Sequence, residues 1–156
     1  MPLPGRIHFT ALVLIAVLAP IFALKCVAQD EEVSLFDSDG KPVAYVSMGE
    51  DVATIYMWSG KPVAYLKSSR GTGFSIYGFN GKHLGWFVKG ILRDHDGDAA
   101  CEVRDVVTSP ELEPLKSLKQ LKPLKAIPEI EPIRPIFTLE WSSTPCGLFL
   151  MEGAER

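Results

Sequence analysis

The sequence predicts an all-β protein of four β-hairpin pseudo-repeats, with an extended Pro-rich segment packing on their core. Three observations predict it. The hexapeptide GKPVAY occurs twice, at 40–45 and 60–65. Gly40, Gly60, Gly81 and Gly97 each follow a turn-forming residue: Asp39, Ser59, Asn80 and Asp96. Residues 115–135 carry Leu or Ile at every third position.

Aligned on the four glycines, the chain repeats itself at spacings of 20, 21 and 16 residues. Four positions after the glycine stand Ala44, Ala64, Gly85 and Cys101, all small. Five positions after stand Tyr45, Tyr65, Trp86 and then Glu102. Five positions before stand Leu35, Ile55, Ile76 and Leu92, all aliphatic. Asp-Gly and Asn-Gly between apolar runs are strong hairpin signals, read here as two-residue turns with positive φ at both positions. Such a hairpin sets the aliphatic residue opposite the small one in every copy. That suits strands converging on a crowded centre, where two large side chains would overpack. Lys-Pro at 41–42 and 61–62 puts proline at a strand start, because proline cannot donate to a ladder. No single hairpin is stable in water, but four sharing one core are. The units are half a propeller blade in length, and no convincing amphipathic helix separates them, which excludes propeller and βαβ folds.

The phrases GKPVAY, NGKHLGWF and DHDGD, in that order, resemble the 4-fold beta flower family over roughly residues 33–103, with the tail expected to belong to it as well. The resemblance implies a pseudo-fourfold arrangement of hairpins and implies no activity. The fourth copy departs most from the other three.

Residues 115, 118, 121, 124, 127, 130 and 133 are all Leu or Ile. A helix of 3.6 residues per turn would smear this stripe around its axis, whereas polyproline II keeps a triplet on one face. Pro123, Pro128, Pro132 and Pro135 agree with that. The expectation is a strap whose Leu/Ile ridge covers the hairpin core and its open edges, with Lys, Glu and Arg facing water. A disordered linker and a short amphipathic helix over 111–122 are the alternatives. The domain reading is 1–28 signal peptide, 29–105 hairpin domain, 106–136 triplet segment, and 137–156 a last strand and apolar clasp.

Export is read from the N-terminus. Arg6 and His8 precede an apolar run over 9–24, and Cys26-Val27-Ala28 places small residues before a cut at Gln29. The run is short for a membrane span, and an uncleaved anchor is the alternative. A lipoprotein at Cys26 is disfavoured by Lys25. The destination is the periplasm or the exterior. Removing 1–28 leaves 14 basic and 19 acidic residues, a net charge of −5. This offers no footprint for nucleic acid. It also leaves two cysteines, Cys101 and Cys146, as a possible disulfide or as two buried thiols.

Candidate chemistry is sparse. Asp94, Asp96 and Asp98 alternate as oxygens do in a calcium loop, but Gly97 is out of phase for one and the repeat makes this a turn. An enzyme at Asp94, His95 and Asp96 is the least favoured reading. His83 could pair with His95 without a ligand set around them. Tyr45, Tyr65, Trp86 and Trp58 recur by repeat position and could form a stacking surface for a glycan or small ligand, or simply pack. No cofactor is expected. The favoured function is an exported non-catalytic structural or protein-interaction module with a protein partner.

Overall fold

The computed structural model describes residues 31–49 and 52–154. The expected signal segment with Cys26, residues 50–51 and the final two residues lie outside them. Eight strands run in chain order: β1 (Glu31–Phe36), β2 (Pro42–Met48), β3 (Thr54–Met57), β4 (Pro62–Ser68), β5 (Phe74–Gly78), β6 (His83–Val88), β7 (Ile91–Arg93) and β8 (Ala99–Val103). Each pairs antiparallel with the next, and β8 returns to β1, so the sheet is a closed barrel. Closure removes the open edges that the strap was expected to cover.

The four glycine turns join β1 to β2, β3 to β4, β5 to β6 and β7 to β8 at one end of the barrel. Leu35 faces Ala44, Ile55 faces Ala64, Ile76 faces Gly85 and Leu92 faces Cys101. The register shifts at the next residue in all four hairpins. The turns are not two-residue turns. Only the glycine has positive φ: 80° at Gly40, 81° at Gly60, 88° at Gly81 and 93° at Gly97. The Gly60 N–H donates to the Met57 carbonyl, and the Met57 N–H donates to the Lys61 carbonyl. The same pair of bonds recurs in the other three turns. This is a three-residue loop with a glycine bulge, and the bulge restores the cross-strand pairs that a two-residue turn would have set. Positive φ at both turn positions occurs instead at Lys89 (51°) and Gly90 (81°), joining β6 to β7.

Strand alternation sorts the side chains. Leu35, Ala44, Val46, Ile55, Ala64, Leu66, Ile76, Leu92 and Cys101 fill the interior. Into it enters one short helix, α1 (Cys146–Met151), which buries Cys146, Phe149 and Leu150. The C-terminal clasp is therefore helical. The last strand expected before it is only an isolated bridge, Ala99 to Trp141. A disulfide joins Cys101 on β8 to Cys146, with Cα atoms 5.2 Å apart.

Residues 110–138 belong to no helix or strand, so no amphipathic helix forms over 111–122. Nor are they a loose linker. The backbone N–H of Glu111, Gln120, Glu129 and Thr138 donates to the carbonyl of Gly40, Gly60, Gly81 and Gly97 respectively. Nine residues, three triplets, carry the strap from each turn to the next. The contact is close. A Cβ on Gly60 would lie 2.0 Å from the Leu118 carbonyl oxygen, and one on Gly40 2.1 Å from that of Ser109. These glycines serve both the turn and the strap.

Candidate interaction surface

The strap is rolled the opposite way from the sequence expectation. Every third residue from Leu112 to Leu139 is Leu or Ile, and these ten side chains are 86–98% exposed. The cations face the barrel instead. Lys116 Nζ lies 4.6 Å from the Tyr45 ring centroid and 5.1 Å from that of Trp58. Lys125 Nζ lies 4.4 Å from Tyr65, and Arg134 Cζ lies 5.9 Å from Trp86. Lys116, Lys125 and Arg134 are nine residues apart, and three of the rings they cover, Tyr45, Tyr65 and Trp86, share one repeat position.

Two causes produce this roll. The barrel interior is filled by its own aliphatic residues and α1, so no apolar groove remains for the ridge. The outward faces of β2, β4 and β6 instead offer flat rings, over which a cation gains about 0.5–2 kcal/mol while its alkyl stem packs. Carboxylates reinforce it. Glu32 takes ion pairs from Lys116 and Lys119, both at 2.8 Å, which hold its carboxyl below the usual range against the upward push of burial. Glu131 accepts from Trp86 Nε1 (3.1 Å) and from Ser69 Oγ. Burial pushes its carboxyl up, but these bonds and the Arg70 N–H outweigh it and bring the pKa to about 2.

The rings expected to bind a ligand are therefore occupied. Tyr45, Tyr65 and Trp86 are only 1%, 5% and 0% exposed. Half-buried Trp58 donates Nε1–H to the Pro114 carbonyl and meets Tyr45 edge-on. They pack the strap to the barrel, and buried Tyr45, Tyr65 and Trp86 turn their faces to strap cations.

The acidic turn is likewise engaged. Asp94 Oδ1 accepts from the N–H of Asp96 and of Asp98, each at 3.0 Å. Asp98 accepts the Thr138 hydroxyl, which ties the turn to the strap. His95 faces His83 rather than a carboxylate, Nε2 to Nδ1 at 2.9 Å. His83 is buried between Tyr77 and Trp86. Burial, then the neighbouring imidazole of His95, holds its pKa down to about 4. The pair lines a cleft of about 350 Å³ with Asp94, Asp96, Glu129 and Glu152. Among the described residues no three His, Cys, Asp or Glu side chains come together to hold a metal ion.

Sequence reasoning found the triplet and missed its direction. The signal was present as a nine-residue recurrence of cations, 116, 125 and 134, matching three equivalent rings. No curated protein and no solved structure matches the chain. One family model does match, over residues 33–150, which takes in the hairpins, the strap and most of α1. The chain belongs to the 4-fold beta flower protein family.

Proposed function

We propose that this chain is an exported, non-catalytic structural module that docks on aliphatic protein surfaces through the ridge of its strap. One observation carries the reading: ten Leu and Ile side chains held 86–98% exposed on a backbone pinned to the barrel. Burying such a side chain is worth about 1.5–3 kcal/mol, or roughly 60–120 Å² each. The ridge thus amounts to roughly 600–1,200 Å², above the few hundred Å² that a monomer's largest apolar patch typically spans. The backbone is already ordered, so docking costs little further conformational entropy. Export is supported by the signal-like residues within 1–28 and by the disulfide, which persists in oxidising compartments. The non-catalytic reading is supported by the engagement of Asp94 and Asp98 in turn and strap and of His95 with His83.

A photo-crosslinking residue placed at Leu121 tests this in the native compartment. Discrete adducts at Leu121, absent when the same residue replaces Lys89, support it. No adduct, or equal labelling at both positions, defeats it.

A further inference from the structure

The ridge has a direction and a chemistry that narrow its partner, and this inference rests on the docking reading above. We infer that the occupant is a second copy of this chain, and that copies assemble side by side, ridge against ridge.

Direction comes first. The strap meets the four glycine turns in the order in which their hairpins follow one another around the closed barrel. Its aliphatic side chains therefore project on successive sides of the molecule. One foreign globular partner would cover only part of such a girdle. Neighbouring copies, each bringing the same ridge, cover it from several sides.

Pitch is the second argument. Side chains repeating every third residue leave gaps of the same spacing, and an identical ridge fills them in phase. Self-complementarity of this kind is what homomeric association requires.

The third argument is composition. Interfaces with foreign proteins are enriched in Tyr, Trp and Arg, and membrane-surface segments pair apolar residues with aromatic and basic ones. The ridge is Leu and Ile alone. The adjacent Lys116, Lys125 and Arg134 are turned inward onto Tyr45, Tyr65 and Trp86. Homomeric interfaces are the more apolar class, and about 800 Å² per partner makes a standard one. Summed over neighbours on all its sides, the ridge area brackets that value. A charge of −5 over 29–156 opposes close approach only weakly in physiological salt.

The test is sedimentation velocity on residues 29–156 over a wide concentration range, with the disulfide intact. Wild type should shift to discrete larger species as concentration rises. The triple variant Leu118→Ser, Leu121→Ser, Leu124→Ser should form smaller species than wild type at every concentration where wild type assembles, with an unchanged melting temperature. Leu121→Lys alone serves the same purpose should the triple variant misfold. Adducts from the crosslinker at Leu121 should have masses that are multiples of this chain's. A wild-type monomer at every concentration, with Leu121 adducts to other proteins, would overturn self-assembly and leave the docking reading standing. A monomer with no adducts at all would remove both. Aggregates of undefined size that persist in the ridge variants, or co-pelleting of the monomer with zwitterionic phosphatidylcholine vesicles, would also overturn the inference.

Discussion

Leu92 on β7 is 0% exposed, and Leu115 on the strap is 98% exposed. The two regions they represent, barrel interior and strap ridge, are both runs of aliphatic residues with strict periods. Residue type does not separate them. What separates them is which face of the backbone meets a surface already complete. Inside the barrel, period two sends alternate residues toward a centre that has room for them and for α1. Along the strap, the N–H groups bound to the turn glycines set the roll, and the barrel's outer rings take the cations. A periodic apolar stripe therefore marks one face of a segment. It does not say that this face is the buried one.

The largest way to sharpen this contrast is mutation on both sides of it. Leu92→Ala should cost about 2–5 kcal/mol, since it opens a cavity in a filled core. Leu115→Ala should change stability by no more than about 0.5 kcal/mol. Urea unfolding of dilute, monomeric protein measures both, and equal losses would break the comparison. Opening the disulfide is of similar size. It closes a span of 45 residues and ties α1 into the interior, so Cys146→Ser should cost about 4 kcal/mol on the loop-entropy model. The midpoint should fall to the same value in wild type under reductant.

Smaller effects probe the strap's inner face. Gly60→Ala forces a side chain into positive φ and against the Leu118 carbonyl, and should cost at least about 1–2 kcal/mol. Lys116→Ala should cost about 1 kcal/mol, from two rings and the Glu32 ion pair, more than removal of either flanking leucine. If Leu115→Ala or Leu118→Ala proves worse than Lys116→Ala, the strap is rolled the other way in solution.

The pH dependence is the subtlest. The pKa of His83 is lowered from 6.5 to about 4, so the unfolded chain binds the extra proton first. Stability should fall as pH drops from 6.5 through 4, and His83→Gln should flatten that window. Glu131, lowered to about 2, adds stability that is present above the ordinary carboxylate pKa and lost as pH falls from there through 2. Glu131→Gln should shrink that second decline and leave the part that lowered Glu32 contributes. Thermal melts across pH separate the two.

The family match and the all-β architecture stood plainly in the sequence, because turn glycines and alternation are local signals. Gly60 must be glycine in any such turn, and Ile55 opposite Ala64 follows from hairpin geometry alone. The candidate surface was only half legible. The triplet announced one aliphatic face, and the three cations Lys116, Lys125 and Arg134 matched the three rings Tyr45, Tyr65 and Trp86 in number. Which of the two faces meets the barrel depends on what else fills it, and that is a property of distant residues. α1, from the far end of the chain, completes the core together with Cys101. The return of β8 to β1 closes the edges. Only with both in place are the rings of β2, β4 and β6 the surface left to cover, and only then do leucines and isoleucines far downstream face outward. Local sequence thus sets strands, turns and periods, whose causes lie within a few residues. Closure, the pairing of His83 with His95 and the exposure of the ridge needed the whole chain, because each depends on side chains far apart in sequence competing for the same space.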